Sequence, residues 1–330
     1  MNKKHSIKYS ILIPAYKSRF LSEALRSVKE QTYEEFQCIV VDDCSPENLK
    51  QIYNEVVEND NRFEYYRNSS NYGAINVVDN WNVCLSYARG NYVICMGDDD
   101  RLLPCCLSEF NKLIDRYPNL DVYHARTEII NENGDMIDLQ EARPEWESAY
   151  SALWHQCRCK RIQFLGDFLF RSSTLKMMGG FYKLRLAVFS DNISSIRAAK
   201  ESGIANTSVI CFQYRESRHT ISRNSHPRIL VDSTKKAYDW FMEFLLETPR
   251  DEIDKKYRNQ LLRLELWKYM CTFMCSLIDR DLEDEGLSAI KYWENNYNAL
   301  GIEEWRIKLK IKLFRREFVK KKIKFILHMK

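Results

Sequence analysis

Across the first hundred residues, short apolar runs alternate with longer stretches of mixed polarity, and most of the runs stop at a polar or acidic cluster. Few architectures satisfy that rhythm. Four- or five-residue apolar runs separated by helix-length segments are the pattern of βαβ units, in which parallel strands are joined by crossover helices. Candidate strands are Tyr9–Ile13, Gln37–Val41, Phe63–Tyr66 and Tyr92–Met96. Between them, helical spacing runs through Phe20–Gln31, Pro46–Val57 and Ala74–Ala88, each long enough for a right-handed crossover. The spacing predicts an α/β fold of the nucleotide-binding type. Such sheets bind ligands outside the carboxyl ends of their strands, which singles out Pro14-Ala15-Tyr16, Asp42-Asp43-Cys44-Ser45-Pro46 and Gly97-Asp98-Asp99-Asp100. Ser45-Pro46 also predicts a helix start, with Ser as N-cap and Pro in the first helical position.

Farther along, Asp121–Ile130, Asn133-Gly134 and Met136–Leu139 predict a strand, a turn and a returning strand. Residues 141–161 mix Pro, Trp and charges and predict a loop over the site. From Ile229 the pattern is helical, for example through Tyr238–Leu246 and Leu261–Ile278. The expected division is a domain at 1–228 and a helical region at 229–330. A strongly apolar uncharged stretch, Tyr269–Ile278, is about half of the roughly 20 residues a membrane span needs. Met1–Ser10 has no apolar core of a secretory signal, so a cytoplasmic chain is expected. In that compartment the eleven cysteines are expected as reduced thiols. His155-x-Cys157-x-Cys159 has short metal-ligand spacings but lacks a fourth ligand.

Three consecutive aspartates at a strand end concentrate like charge, which is costly unless a cation or solvent relieves it. A hard divalent ion accepts one or two carboxylates and keeps its other positions for water and phosphate oxygens. No G-x-G-x-x-G follows the first strand and no G-x-x-x-x-G-K-[ST] occurs in the chain, which disfavours dinucleotide and P-loop enzymes. Carboxylates replace the glycine cradle, so a phosphate would be bound through a metal ion.

Taken together, Ser10-Ile-Leu-Ile-Pro-Ala-Tyr16, Val40-Val-Asp-Asp-Cys-Ser45, Asn71-Tyr-Gly73, Ala88-Arg-Gly-Asn-Tyr92 and Asp98-Asp-Asp-Arg-Leu-Leu-Pro104 resemble the family 2 glycosyltransferases, which have the GT-A fold. The resemblance covers residues 8 to 116 strongly and continues more loosely through Met178-Gly-Gly-Phe181 and Ser190-Asp191 to about Ser222. It implies an α/β, Rossmann-like mixed sheet that carries an inverting, metal-dependent transfer of sugar from a nucleotide-sugar donor, UDP-linked. The implied acceptor is a hydroxyl of a glycan or lipid-linked acceptor in bacterial surface-polysaccharide assembly. By the same resemblance Pro14, Ala15, Tyr16 and Asn71 belong to the nucleotide site, with Tyr16 against the base and Asp43 accepting the uracil N3–H. Asp99 matches the ligand of Mn²⁺ or Mg²⁺, Asp98 the ribose or metal shell, and Asp100 a second-shell or backup ligand. Asp191 matches the general base that deprotonates the acceptor, held ionised at a helix N-terminus.

Two positions depart from the family pattern. Gly97 stands where an acid is usual, which leaves the register of the acidic motif open by one residue, and Asn80-Trp81-Asn82 stands where Ala-Arg-Asn is commoner. The segment 72–88 holds no Lys or Arg, so the cation that supplements the metal on the diphosphate is sought at Arg215, Arg218 or His219. A sugar-nucleotide nucleotidyltransferase and a non-catalytic scaffold of the same fold are the alternatives. The first lacks its usual Gly-rich, Arg-containing loop after Ile13, and loss of the acids or base would mark the second.

The net charge of +4 conceals an asymmetry, because residues 305–330 carry eleven Lys/Arg and one acid, Glu317. A basic tail on an acidic body points to an anionic partner; nucleic acid and anionic lipid both fit the charge. The family resemblance favours the membrane, with no nucleic-acid partner expected. Ile307, Ile311, Phe314, Phe318 and Phe325 fall on one helical stripe, while Trp305, Leu309, Leu313 and Ile323 lie opposite, so part of the segment is expected to pack on protein. A peripheral enzyme at the inner face of the cytoplasmic membrane is the expectation.

Overall fold

A computed structural model describes residues 7–217, 225–296 and 308–316. The predicted strands are present as β1 (Tyr9–Ala15), β2 (Phe36–Asp42), β3 (Phe63–Arg67) and β4 (Tyr92–Cys95), all parallel, in the spatial order β3-β2-β1-β4. Side chains alternate across a strand, and the two faces fill different cores. Tyr9, Ile11, Ile13 and Ala15 pack on one face with Cys38 and Val40, while Leu12, Ile39 and Val41 pack on the other. Strands buried on both faces read as unbroken apolar runs, which is why they are conspicuous in the sequence.

Helices α1 (Leu21–Lys29), α2 (Leu49–Val57) and, after the two-residue β5 (Arg101–Leu102), α4 (Cys106–Arg116) cover the first face. Helix α3 (Val77–Ser86) covers the second. The start of α2 differs from expectation. Asn48 is its cap, accepting from Gln51 N at 3.2 Å, whereas the Ser45 hydroxyl donates to Tyr16 O at 2.6 Å. Ser45 is drawn away because the tips of β1 and β2 lie side by side, with Asp43 N donating to Ala15 O.

The second half of the sheet is mixed. Strands β6 (Val122–Ile130), β9 (Phe168–Arg171) and β10 (Ile204–Arg215) extend the order as β4-β9-β6-β10-β5, with β9 antiparallel to both β4 and β6. The predicted return strand is β7 (Met136–Leu139), antiparallel to β6. Residues 141–161 correct the expected loop, because they contain β8 (Trp146–Glu147) and α5 (Ala149–Cys157). Ser148 caps α5 by accepting from Ser151 N at 3.1 Å, and Leu153 and Cys157 enter the core. Apolar residues on several sides of α5 obscure its periodicity. Cys157 is buried and Cys159 exposed, and among the described residues no metal-binding cluster forms at His155-x-Cys157-x-Cys159.

Helix α6 (Ser172–Met177) and α7 (Ser190–Ala199) complete the second face, and the helix Pro227–Phe244 lies on it through Ala237 and Phe241. Glu252–Gln260 runs through a π-helical turn, Leu261–Glu265, into Leu266–Glu285, followed by Leu287–Asn296. A separate core forms here. In it Trp293 is fully buried and donates its indole N–H to Asp281 at 2.7 Å, and Arg228 pairs with the same carboxylate at 2.9 Å. Residues 308–316 are helical, with Ile311 buried in that core and Phe314 packed against it, while Leu309 and Leu313 are exposed. The described part of the predicted stripe therefore faces protein. The rest of the basic tail, including Phe318 and Phe325, lies outside the described residues. Among the described residues no helix is long and apolar enough to cross a membrane.

Candidate active site

The carboxyl ends of β1, β2 and β4 meet at one rim, and their acids differ in what they hold. Asp98 Oδ2 accepts from the backbone N–H groups of Tyr16 and Lys17, both at 2.7 Å, which ties the end of β4 to the end of β1. Asp100 turns back into the protein, where its carboxylate accepts from Arg215 N at 3.0 Å and Gly97 N at 3.1 Å. Asp99 stands between them, only partly buried. Asp98 and Asp99 line a cavity of about 300 Å³ together with Lys17, Arg19, Phe20, Glu47 and Ser217. Gly97 explains one departure from the family pattern. A Cβ there would stand 2.8 Å from Asp99 Oδ1 and 2.9 Å from Asp100 Oδ2, so any side chain would displace these acids.

Burial is the largest cause that raises all three carboxyls, Asp98 to about 6, and the Asp99 charge adds to the rise of Asp98 and Asp100. The Lys17 cation works the other way on Asp98 and Asp99. Among the described residues no three His, Cys, Asp or Glu side chains converge as a complete metal cage. Two cavity-facing carboxylates with space beside them are nevertheless the donor set that Mg²⁺ or Mn²⁺ takes alongside water and phosphate oxygens. The residues fit such an ion.

Arg215 does not face the cavity. Its side chain is fully buried; Nε donates to Asp99 O at 2.9 Å, Nη1 to Asn131 O at 3.1 Å, and Nη2 to Glu23 at 2.7 Å. Phe20 lies under the guanidinium at 4.1 Å. With its donors committed, Arg215 braces the acidic loop, which corrects its expected place on the diphosphate. The cations at the cavity are Lys17 and Arg19, with Arg19 paired to Glu132 at 2.9 Å. Sequence reasoning passed over both, although they follow Tyr16 directly. His219 lies outside the described residues.

Ala15 is also corrected. It is fully buried in the core of the first face, since it continues the alternation of Tyr9, Ile11 and Ile13, and it serves the rim through its carbonyl. Pro14 is partly buried, Tyr16 is 43% exposed and Asn71 is exposed. Asp43 is buried and organises its neighbours: Oδ1 accepts from Asn68 Nδ2 at 2.9 Å and Tyr72 N at 3.0 Å, and Oδ2 from Gly73 N at 3.3 Å. Asn68 Nδ2 also reaches Asn80 Oδ1 at 2.9 Å. Asp42, fully buried, accepts from Tyr65 Oη at 2.6 Å and from the Arg67 guanidinium.

Asn80-Trp81-Asn82 thus has a structural use. Asn80 supports the Asp43 loop, and Trp81 meets Phe181 edge-on at 5.8 Å. Asn82 Oδ1 accepts from Phe181 N at 2.8 Å. Gly180 must be glycine: its φ is +93°, and a Cβ would lie 2.3 Å from Asn82 Oδ1. From this anchor the chain leads to a turn at 185–187 that packs on residues 74–76, just after the loop gripped by Asp43, and then to Asp191.

Asp191 lies in the first turn of α7 rather than at its cap, which is Phe189. Leu186, Ala187 and Phe189 all have positive φ, between 55° and 63°. Left-handed backbone is uncommon for bulky residues and concentrates at functional sites. Burial pushes the Asp191 carboxyl up to about 7, with the Asn192 backbone N–H acting against the rise. The expectation of a firmly ionised aspartate is therefore corrected: desolvation outweighs the helix N-terminus. Asp191 is not among the residues lining the cavity at Asp98 and Asp99.

Known proteins resemble this chain in sequence and in fold. An uncharacterized glycosyltransferase of Haemophilus influenzae is 33% identical over 37% of this chain and 40% of its own length. UDP-Glc:alpha-D-GlcNAc-diphosphoundecaprenol beta-1,3-glucosyltransferase WfgD of Escherichia coli is 25% identical over 72% of this chain and 86% of its own. In its first curated relatives the matched chain spans about a third to a half of their length. The structure of Staphylococcus aureus TarS 1–349 in complex with UDP-GlcNAc superposes with a TM-score of 0.66 at 17% identity, covering 89% of this chain and 81% of that one. That likeness shows the GT-A fold. The model of glycosyl transferase family 2 matches residues 10–181, just over half of the chain, and the protein belongs to glycosyl transferase family 2.

Proposed function

We propose that the protein is an inverting glycosyltransferase that moves a sugar from a UDP-sugar to a hydroxyl of a glycan or lipid-linked acceptor in bacterial surface-polysaccharide assembly. The observation that carries this is the pair Asp98 and Asp99, facing a cavity flanked by Lys17 and Arg19 at the end of β4. Asp99, with Asp98 beside it, would hold Mn²⁺ or Mg²⁺, which when bound neutralises charge on the departing diphosphate. Asp100 holds the loop from behind. Pro14, Tyr16, Asn71 and the loop ordered by Asp43 are assigned to the nucleoside, and Lys17 and Arg19 to the phosphates. Asp191 is assigned as general base; a group titrating near the working pH is well matched to taking a proton and returning it. The activity of WfgD, a UDP-Glc:alpha-D-GlcNAc-diphosphoundecaprenol glucosyltransferase, supports this choice of substrates.

UDP release from UDP-GlcNAc, measured with and without Mn²⁺, tests the assignment. We expect Mn²⁺-dependent release that Asp99→Asn lowers at least roughly 10²-fold, since an amide is a poor ligand for a hard cation. Release that ignores both metal and substitution would remove Asp99 from the metal site.

We further propose that residues 305–330 hold the enzyme at an anionic membrane from the cytoplasmic side; the catalytic unit, expected to end at 228, takes in the helix Pro227–Phe244, whose Ala237 and Phe241 lie in the core under the sheet. The tail's charge supports this, at about 1 kcal/mol per Lys/Arg near an anionic leaflet. The full chain should sediment with phosphatidylserine vesicles at 0.1 M salt and come off at 1 M, where the Debye length falls to about 3 Å. Retention at 1 M salt would point to apolar insertion instead.

A further inference from the structure

Helix α7 begins without a side-chain cap. Phe189 stands at its cap position in left-handed backbone, and its side chain has no acceptor to offer the first turn. The start of the helix is fixed instead by polar side chains that grip the segment leading into it. Asn82 Oδ1 accepts from Phe181 N at 2.8 Å while its Nδ2 donates to Phe181 O at 3.3 Å. Next along the chain, Tyr182 N donates to Ser194 Oγ at 2.9 Å and Leu184 N to Ser190 Oγ at 3.2 Å. Ser233 Oγ, on the helix Pro227–Phe244, then donates to Arg185 O at 3.0 Å.

The two serines frame Asp191. Ser190 and Ser194 lie one helical turn apart and are both buried, whereas Asp191, about 100° further round the helix than Ser190, is partly exposed. Ser194 is the more tightly defined of the pair. Its hydroxyl donates to Ser190 O at 2.6 Å, and a hydroxyl has one hydrogen and two lone pairs. With the hydrogen committed, the oxygen can only accept, which is what the Tyr182 N–H requires. One side chain thus joins the incoming loop to the backbone of the residue before Asp191. Between these fastenings Leu186, Ala187 and Phe189 hold φ between 55° and 63°, a conformation that bulky residues keep only where the surroundings over-determine it.

We propose that Ser194 is a positioning residue for Asp191, acting with Ser190 to hold the loop 182–189 against α7 so that the carboxylate stands where the acceptor hydroxyl gives up its proton. The inference rests on the reading of Asp191 as general base. In that step the acceptor oxygen bonds to the anomeric carbon, the bond from that carbon to the diphosphate oxygen breaks with its electron pair leaving on UDP, and the hydroxyl proton moves to Asp191. A base serves only within hydrogen-bond reach of the proton it takes. Misplacement by about 1 Å is enough to cost roughly 10²-fold in rate.

The test is a double-mutant cycle in the full chain, read by UDP release from UDP-GlcNAc. Ser194→Ala leaves the Tyr182 N–H without its acceptor and should lower kcat roughly 10- to 10²-fold. KM, and UDP affinity by calorimetry, should stay within about twofold of wild type. In the Asp191→Asn background the same substitution should cost less than about twofold more, because the group it positions is gone. Losses that multiply in the double variant, or an unchanged kcat in Ser194→Ala, would overturn the proposal. So would a fall in UDP affinity as large as the fall in kcat, which marks general damage to the fold. Should Ser194→Ala fail to fold, Ser190→Ala goes through the same cycle under the same criteria. A wild type that releases no UDP, or Asp191→Asn with wild-type turnover, fails the reading of the site itself and the proposal with it. Loss of turnover in Asp191→Asn beside an unaffected Ser194→Ala fails the positioning role alone.

Discussion

The acids at the end of β4 and the acid at the start of α7 are buried in opposite ways. Asp98 accepts the backbone N–H groups of Tyr16 and Lys17, Asp100 those of Gly97 and Arg215, and the Arg215 side chain closes the loop from behind. Asp191 sits after three left-handed residues, with burial raising its carboxyl to about 7 against the backbone N–H groups of Asn192 and of Asp191 itself. Charge held by backbone donors stays where the chain puts it and suits a fixed cation or phosphate. Charge that is poorly compensated stays close to protonation and suits proton transfer. On the reading proposed above, Asp98 and Asp99 belong to the binding end and Asp191 to the reactive end.

The sharpest way to break this contrast is Asp191→Asn. Turnover should drop by roughly 10²-fold or more while donor binding, followed by calorimetry with UDP, stays close to wild type. Stability should move the other way. An acid raised from 3.8 to about 7 binds more protons in the folded than in the unfolded chain between those values, so its contribution to stability falls as pH rises across that window. Removing it should make the protein more stable at pH 8 by roughly 1–3 kcal/mol in urea denaturation, discounted for its partial exposure. A variant no more stable than wild type at pH 8 would mean that Asp191 is well solvated.

The binding end should respond in the reverse sense, with the smaller kinetic effect. Arg215→Leu strands the carbonyls of Asp99 and Asn131 and leaves Glu23 with Arg101 alone. It should cost about 2–4 kcal/mol in the same denaturation experiment, and weaken UDP binding by loosening Asp99. Unchanged stability would show that the loop does not depend on its buttress.

Much of this was legible in the sequence. The four parallel strands and the hairpin at Gly134 follow from local periodicity and turn chemistry, and the rim acids follow from their place just after the strands. Misread positions share one cause. Ser45 looks like a cap in the sequence because nothing nearby reveals that Tyr16 O will be its partner. Helix α5 looks like a loop in the sequence because its burial on several sides erases the period that would mark it. Asn82 carried no local signal, since its task is to hold Phe181, 99 residues away.

The sequence by itself determined which residues reach the rim, because strand alternation, turns and strand ends are set within a few neighbours. Only the tertiary structure decided what each acid does there. Asp98, Asp99 and Asp100 are chemically identical and adjacent, yet Asp98 is taken by the backbone of β1's end, Asp100 by the backbone of Arg215 from the far end of β10, and Asp99 is left to the cavity. Hydrogen-bond partners and desolvation come from segments that meet only when the sheet closes, and those two quantities give chemically identical acids different surroundings.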